Sequence, residues 1–219
     1  MNLATIKTCL FDLDGTLSDP AEGIIHSFQH ALRRFGMEPG RLSDYFDVIG
    51  PPLIDSFQTH CGFDKEKARQ AVTYYREYFT AGGMFENTLY PGIPELLRKN
   101  REAGRLNIVA TSKPEPFTEA ILRHFGIREE FAFVAASTLD ETRTRKDEVI
   151  AYAFEAFPID KETTVMIGDR SYDVLGAEKN GIPVIGVTYG YGSRAELADA
   201  GADEIVDSVE ELARLLQLR

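Results

Sequence analysis

The stretch Leu10-Phe11-Asp12-Leu13-Asp14-Gly15-Thr16-Leu17-Ser18-Asp19 decides how this chain reads. It completes an apolar run, Ile6 to Phe11, and then places two carboxylates two residues apart, followed by Gly, Thr and a polar loop. Side chains at i and i+2 of an extended chain leave on the same side. Asp12 and Asp14 can therefore reach one reacting centre or one cation. A strand that stops at acids carries them at its carboxyl end, the edge at which open α/β sheets bind ligands.

Outward from that stretch, short apolar runs recur at Leu106–Ala110, Phe131–Ala135, Thr164–Ile167, Pro183–Val187 and Glu204–Val206. Helix-like segments separate most of them: Ile93–Ala103, Pro116–Phe125, Asp147–Phe157, Tyr172–Asn180, Arg194–Ala200 and Val209–Leu216. Apolar strands alternating with helices predict a parallel sheet covered on both faces, an α/β fold of Rossmann-like architecture. Residues 17–89 break the rhythm. They read as consecutive helices, Ala21–Phe35, a short piece near Leu42–Val48, Pro52–Cys61 and Lys65–Ala81, with no convincing strand between them. The expected organisation is a core of residues 1–16 and 90–219 with a helical cap, 17–89, inserted after the first strand. Asp19-Pro20 and Leu89-Tyr90-Pro91-Gly92 are the expected hinges.

At 219 residues and a formal charge of −11, the chain does not suit general binding to nucleic acid or membrane surfaces. Its two cysteines, Cys9 and Cys61, do not suggest a disulfide framework, and Cys9 reads as a small buried hydrophobe in the first strand. No signal peptide or spanning segment is visible, so a cytoplasmic location is the expectation; the sequence leaves the oligomeric state open between monomer and homodimer.

Four motifs, taken in order, carry a resemblance. Asp12-Leu13-Asp14-Gly15-Thr16-Leu17 resembles the DxDGT motif of the haloacid dehalogenase (HAD) superfamily. Asn107-Ile108-Val109-Ala110-Thr111-Ser112-Lys113-Pro114 resembles its hydroxyl motif, with Thr111 in the Thr/Ser position. Lys146 precedes a helical run, and Thr164-Val165-Met166-Ile167-Gly168-Asp169-Arg170-Ser171-Tyr172-Asp173 is a strand followed by GDxxxD. The segments Tyr90-Pro91-Gly92-Ile93 and Gly186 to Gly192 look like the phosphoglycolate phosphatase branch, in which the insertion is a helical cap.

The resemblance implies a Mg²⁺-dependent phosphatase acting on a small phosphorylated metabolite. Asp12 would be the nucleophile, and Asp14 would protonate the leaving alkoxide and then activate water. Thr111, Ser112 and Lys146 would hold the phosphoryl group. The Asp12 carboxylate, the Asp14 backbone carbonyl and the Asp169 carboxylate would hold the metal, with Asp173 acting through a bound water or as a supporting acid behind the ligands. Four carboxylates in one pocket raise each other's pKa unless a cation intervenes, and an oxygen-rich site beside a phosphate suits Mg²⁺. True dehalogenases typically lack an acid at the second position. Asp14 therefore favours phosphoryl transfer.

Lys113, Arg143, Arg145 and Arg170 lie near the motifs, and sequence does not choose among them. Gly50-Pro51-Pro52-Leu53 is a stiff turn between cap helices and resembles the branch's loop that faces the site. His26 and His30 have ligand-like i,i+4 spacing but no evident carboxylate partners nearby in sequence. The rival readings are a 5′-nucleotidase on the same machinery, a β-phosphoglucomutase-like mutase, and a non-catalytic sensor of phosphate ligands.

Overall fold

The computed structural model describes residues 3–140 and 142–218. The chain forms two compact units. One runs to Asp19 and resumes at Leu89, and the other is Pro20–Thr88.

The first unit is an α/β sandwich, as the alternating pattern predicts. Its strands are β1 (Thr8–Phe11), β4 (Leu106–Pro114), β5 (Phe133–Ser137), β6 (Thr164–Gly168), β7 (Val184–Val187) and β8 (Glu204–Val206). Two further short strands, β2 (Ser18–Asp19) and β3 (Thr88–Leu89), pair with each other. They fall within the stretch read as strand-free. Two residues are too few to show a period of two, so no sequence pattern marks them.

The sheet order is β5-β4-β1-β6-β7-β8, and every pairing in it is parallel. This doubly wound order reverses direction between β1 and β6, the place where such sheets bind ligands. β1 is buried along its whole length because it lies between β4 and β6. That accounts for its unbroken apolar run. Its register pairs Phe11 with Val109 on one side and with Ile167 on the other. β1 and β6 therefore end within a residue of each other, so Asp12 and Asp169 leave the sheet side by side, while β4 runs on past them through Thr111 to Pro114. The β4–β5 register shifts between Thr111 and Pro114, so β4 is irregular at its hydroxyl-bearing end.

Helices α4 (Ile93–Glu102), α5 (Glu115–His124), α6 (Lys146–Ala156), α7 (Ser171–Asn180), α8 (Arg194–Ala200) and α9 (Val209–Leu215) cover the sheet. On one face Leu10, Ile108, Ala110, Met166 and Val184 pack against Val149, Ile150 and Ala153 of α6 and Val174 and Ala177 of α7. Phe11, Val109, Ile167 and Ile185 alternate with those strand residues and are also buried. Both faces are thus dry.

The second unit contains α1 (Ala21–Arg34), a 3₁₀ turn (Leu42–Val48), α2 (Leu53–Cys61) and α3 (Lys65–Ala81). α1 packs along α3, and Phe28 stacks on Phe57 at 4.2 Å between centroids. Asp64 caps α3 by accepting from the Lys67 N–H. His26 and His30 each do have a carboxylate partner, Glu86 at 2.6 Å and Glu77 at 3.2 Å. Those partners come from distant sequence positions, which is why local reading missed them. Among the described residues, no helix is long and apolar enough to cross a membrane.

Candidate active site

β1 delivers Asp12 at its carboxyl end, where the Asp12 N–H still bonds the Ile167 carbonyl at 3.0 Å. The Asp12 Oδ1 accepts from the Leu13 N–H at 2.8 Å and lies 2.8 Å from Lys146 Nζ. Lys146 opens α6, and its ammonium also contacts Asp173 Oδ1 at 2.7 Å and donates to the Ala110 carbonyl at 3.0 Å. Three acceptors match the three N–H bonds of an ammonium. Burial disfavours the charge on Lys146, but Asp12 and Asp173 outweigh it and hold the pKa above the ordinary lysine value.

Asp173, in the first turn of α7, also accepts from the Arg170 N–H at 3.1 Å, so the carboxylate caps its own helix. Burial pushes its pKa up to about 6, against the pull of Lys146. Asp169, just beyond β6, is fully buried. It accepts from the Tyr191 N–H at 2.8 Å and from the Thr16 hydroxyl at 3.3 Å. Burial first, and then the charges of Asp173 and Asp12, push its pKa well above the carboxylate range. Oxygens of Asp12, Asp169 and Asp173 lie within 4.8 Å of one another, a grouping able to hold a metal ion.

Asp14 faces a different cation. Its Oδ2 is 2.7 Å from Lys113 Nζ, while its Oδ1 is buried without a hydrogen-bond partner. Burial raises the Asp14 pKa, and Lys113 opposes that rise. Gly15 follows with φ +82°, a left-handed turn, and a Cβ there would lie 2.1 Å from Asp169 Oδ2. Only a glycine lets the turn pass so close to that carboxylate. Thr111 is 2% exposed, and its hydroxyl accepts from the Lys113 N–H at 3.3 Å, with Ser112 half-buried between them.

Of the basic residues left open by sequence, Lys113 brings its ammonium onto the motif acid Asp14. Arg143 donates to the Ala136 carbonyl and stacks on Tyr152, Arg145 pairs with Asp147, and Arg170 pairs with Glu196. Sequence reading also missed Thr16, Tyr189 and Tyr191 as parts of the site. Their signal was the run Thr188-Tyr189-Gly190-Tyr191-Gly192 directly after β7, where paired glycines permit a close approach. An open cavity of about 560 Å³, lined in part by Ile6, Gly181, Pro183 and Gly201, contains none of the motif residues.

With that geometry in place, the comparisons are specific. Residues 9–187 match the family model described as haloacid dehalogenase-like hydrolase. A 5′-nucleotidase of Pseudomonas aeruginosa is 47% identical over 188 residues, covering 86% of this chain and 85% of that protein. The tyrosine-protein kinase PtkA of Mycobacterium tuberculosis is 40% identical, covering 94% of this chain and 71% of that one. A phosphoglycolate phosphatase of Vibrio vulnificus is 29% identical, covering 97% and 96%. Among solved structures, a predicted phosphatase from Clostridium acetobutylicum superposes with a TM-score of 0.93 at 47% identity, covering 97% of this chain and 98% of that one. The chain belongs to the haloacid dehalogenase-like hydrolase family. It is an enzyme of that family's phosphatase type.

Proposed function

We propose that the protein hydrolyses small phosphomonoesters with Mg²⁺, through a phosphorylated Asp12. The observation that carries this reading is the convergence of the Asp12, Asp169 and Asp173 carboxylates, two of them on one buried ammonium, with a further acid, Asp14, two residues from the first.

The donors fit a small hard cation. They are all oxygens, they are mostly buried, and Lys146 is shared between two of the carboxylates. The Asp12 and Asp169 carboxylates and the Asp14 backbone carbonyl would hold the ion, with Asp173 supporting it. Bound Mg²⁺ would offset the charge of the carboxylates and of the phosphate, so that an anion can approach phosphorus.

In the reaction, an oxygen of Asp12 bonds to phosphorus as the bond to the alcohol oxygen breaks. Asp14 gives its proton to the departing alkoxide. It then takes a proton from the water that attacks the phosphorylated Asp12, which releases inorganic phosphate and restores the carboxylate. Burial, which favours the protonated form of Asp14, supports the acid role. Thr111, Ser112 and Lys146 would hold the phosphoryl oxygens, with Lys146 countering charge in the transition state. Substrate choice is assigned to the helical unit as a cap, because the motif residues all lie in the other unit.

Phosphoglycolate and nucleoside monophosphates are the two substrate classes of this reading. The second rests on the 47% identity to a protein named 5′-nucleotidase. The test is turnover of an aryl phosphate and of both classes, with Mg²⁺ and with a chelator. Activity should require the metal. Asp12→Asn should abolish it while the protein stays folded, and near-normal turnover by that variant would refute the assignment.

A further inference from the structure

The loop Thr188–Gly192 makes three separate ties between β7 and the site. The Tyr191 N–H donates to Asp169 Oδ2 at 2.8 Å. The Tyr191 hydroxyl donates to the carboxylate of Asp19, the last residue of β2. The Tyr189 hydroxyl donates to the Thr16 carbonyl at 3.1 Å, and its ring packs edge-on against Tyr90 at 4.9 Å. Gly190 sits between the two tyrosines, where a Cβ would lie 2.2 Å from the Gly15 carbonyl oxygen and 2.5 Å from Asp169 Oδ2. The loop backbone is therefore pressed against Asp169 and the turn at Gly15, while both phenols reach the segment that leaves the core.

We propose that Tyr191 is a positioning residue for the metal site: its hydroxyl, anchored on Asp19, holds its own N–H against Asp169 and so sets the direction of that carboxylate. The inference rests on the metal reading above and goes beyond it, because it links β2, through one side chain, to the orientation of a metal-holding acid. A hydrogen bond to a ligating carboxylate restricts its rotation, and losing such an outer partner commonly weakens metal binding by about 10–100-fold. The tether has a ring's rigidity and ends on a charged acceptor, the stronger kind of hydrogen bond.

The experiment measures Mg²⁺ binding to the substrate-free full chain by titration calorimetry. It uses wild type, Tyr191→Phe, Asp19→Ala and the double variant, with unfolding midpoints recorded in chelator. Tyr191→Phe keeps the ring and the N–H and removes the anchor. It should weaken Mg²⁺ binding about tenfold with a nearly unchanged midpoint in chelator. Asp19→Ala cuts the same tether from its other end and should have a similar effect, and the double variant should be no weaker than Tyr191→Phe alone. Mg²⁺ affinity in Tyr191→Phe within twofold of wild type would overturn the proposal, as would two single effects that multiply in the double variant. Absence of Mg²⁺ binding by wild type is a separate result. It would remove the metal reading itself and this inference with it.

Discussion

Lys146 shows what one buried charge does at residue scale. Its ammonium and the Asp173 carboxylate are both almost wholly enclosed, 2.7 Å apart. A buried pair is a modest source of net stability, but removing one partner leaves the other uncompensated, at a cost of about 3–5 kcal/mol. Lys146→Met should therefore lower stability by about that amount as well as abolish turnover, as read by denaturant unfolding and aryl phosphate assay. Adding Asp173→Asn should restore part of the stability and none of the activity. The same carboxylate predicts a pH effect. Its pKa is raised to about 6, so the folded state binds the proton more tightly than the unfolded chain, whose carboxyl titrates near 4. Protonation thus favours folding. The stabilisation is complete below the unfolded value and is lost as pH rises through about 6. In chelator, wild type should gain in melting temperature between pH 7.5 and 5.5 relative to Asp173→Asn. Equal pH profiles for the two proteins would contradict this.

At the scale of elements, the site is made where β1 and β6 end together against the longer β4. The register of β1 sets Asp12 beside the end of β6 and the carboxyl half of β4. The turn at Gly15 and the loop after β7 then both close on Asp169. Gly190→Ala should push the loop off that carboxylate, because its Cβ would land 2.2 Å from the Gly15 carbonyl oxygen, a backbone atom that cannot swing aside as a side chain can. A misplacement of about 1 Å can cost roughly 10²-fold in rate. The expected outcome is a loss of that order in kcat/KM, with the α/β fold retained by circular dichroism. A fully active variant would show that the close approach does not matter to the chemistry.

At the scale of the whole molecule, chemistry and selection fall to different units in our reading. The motif residues belong to the α/β unit, and Gly50-Pro51-Pro52-Leu53 belongs to the helical one, where Pro52 immediately precedes α2. Two consecutive prolines restrict the backbone, so this turn presents a preformed surface. Substitutions at Pro51 or Leu53 should reorder kcat/KM among phosphoglycolate, nucleoside monophosphates and an aryl phosphate. Asp14→Asn should instead slow every substrate, by about 10²–10⁴-fold, the usual worth of positioned proton transfer. An unchanged ranking in the turn variants would remove the helical unit from substrate choice.

The alternation of buried strands with amphipathic helices was legible in the chain because each period is local. β8 and α8 fall at the residues read from pattern, and the other core elements differ from the reading mainly at their ends. Asp12 and Asp169 stood out because each directly follows an apolar run or its closing glycine, and Asp14 and Asp173 because they recur at fixed spacing behind them. Pairings made across distance were not. Lys113 meets Asp14 across 99 residues of chain, Tyr191 meets Asp19 across 172, and His26 meets Glu86 across 60. Nothing in the local order of residues encodes these contacts. The first two follow from the sheet order and register, which bring the ends of distant strands to one edge, and the third from the packing of α1 along α3 and the turn that follows it in the helical unit.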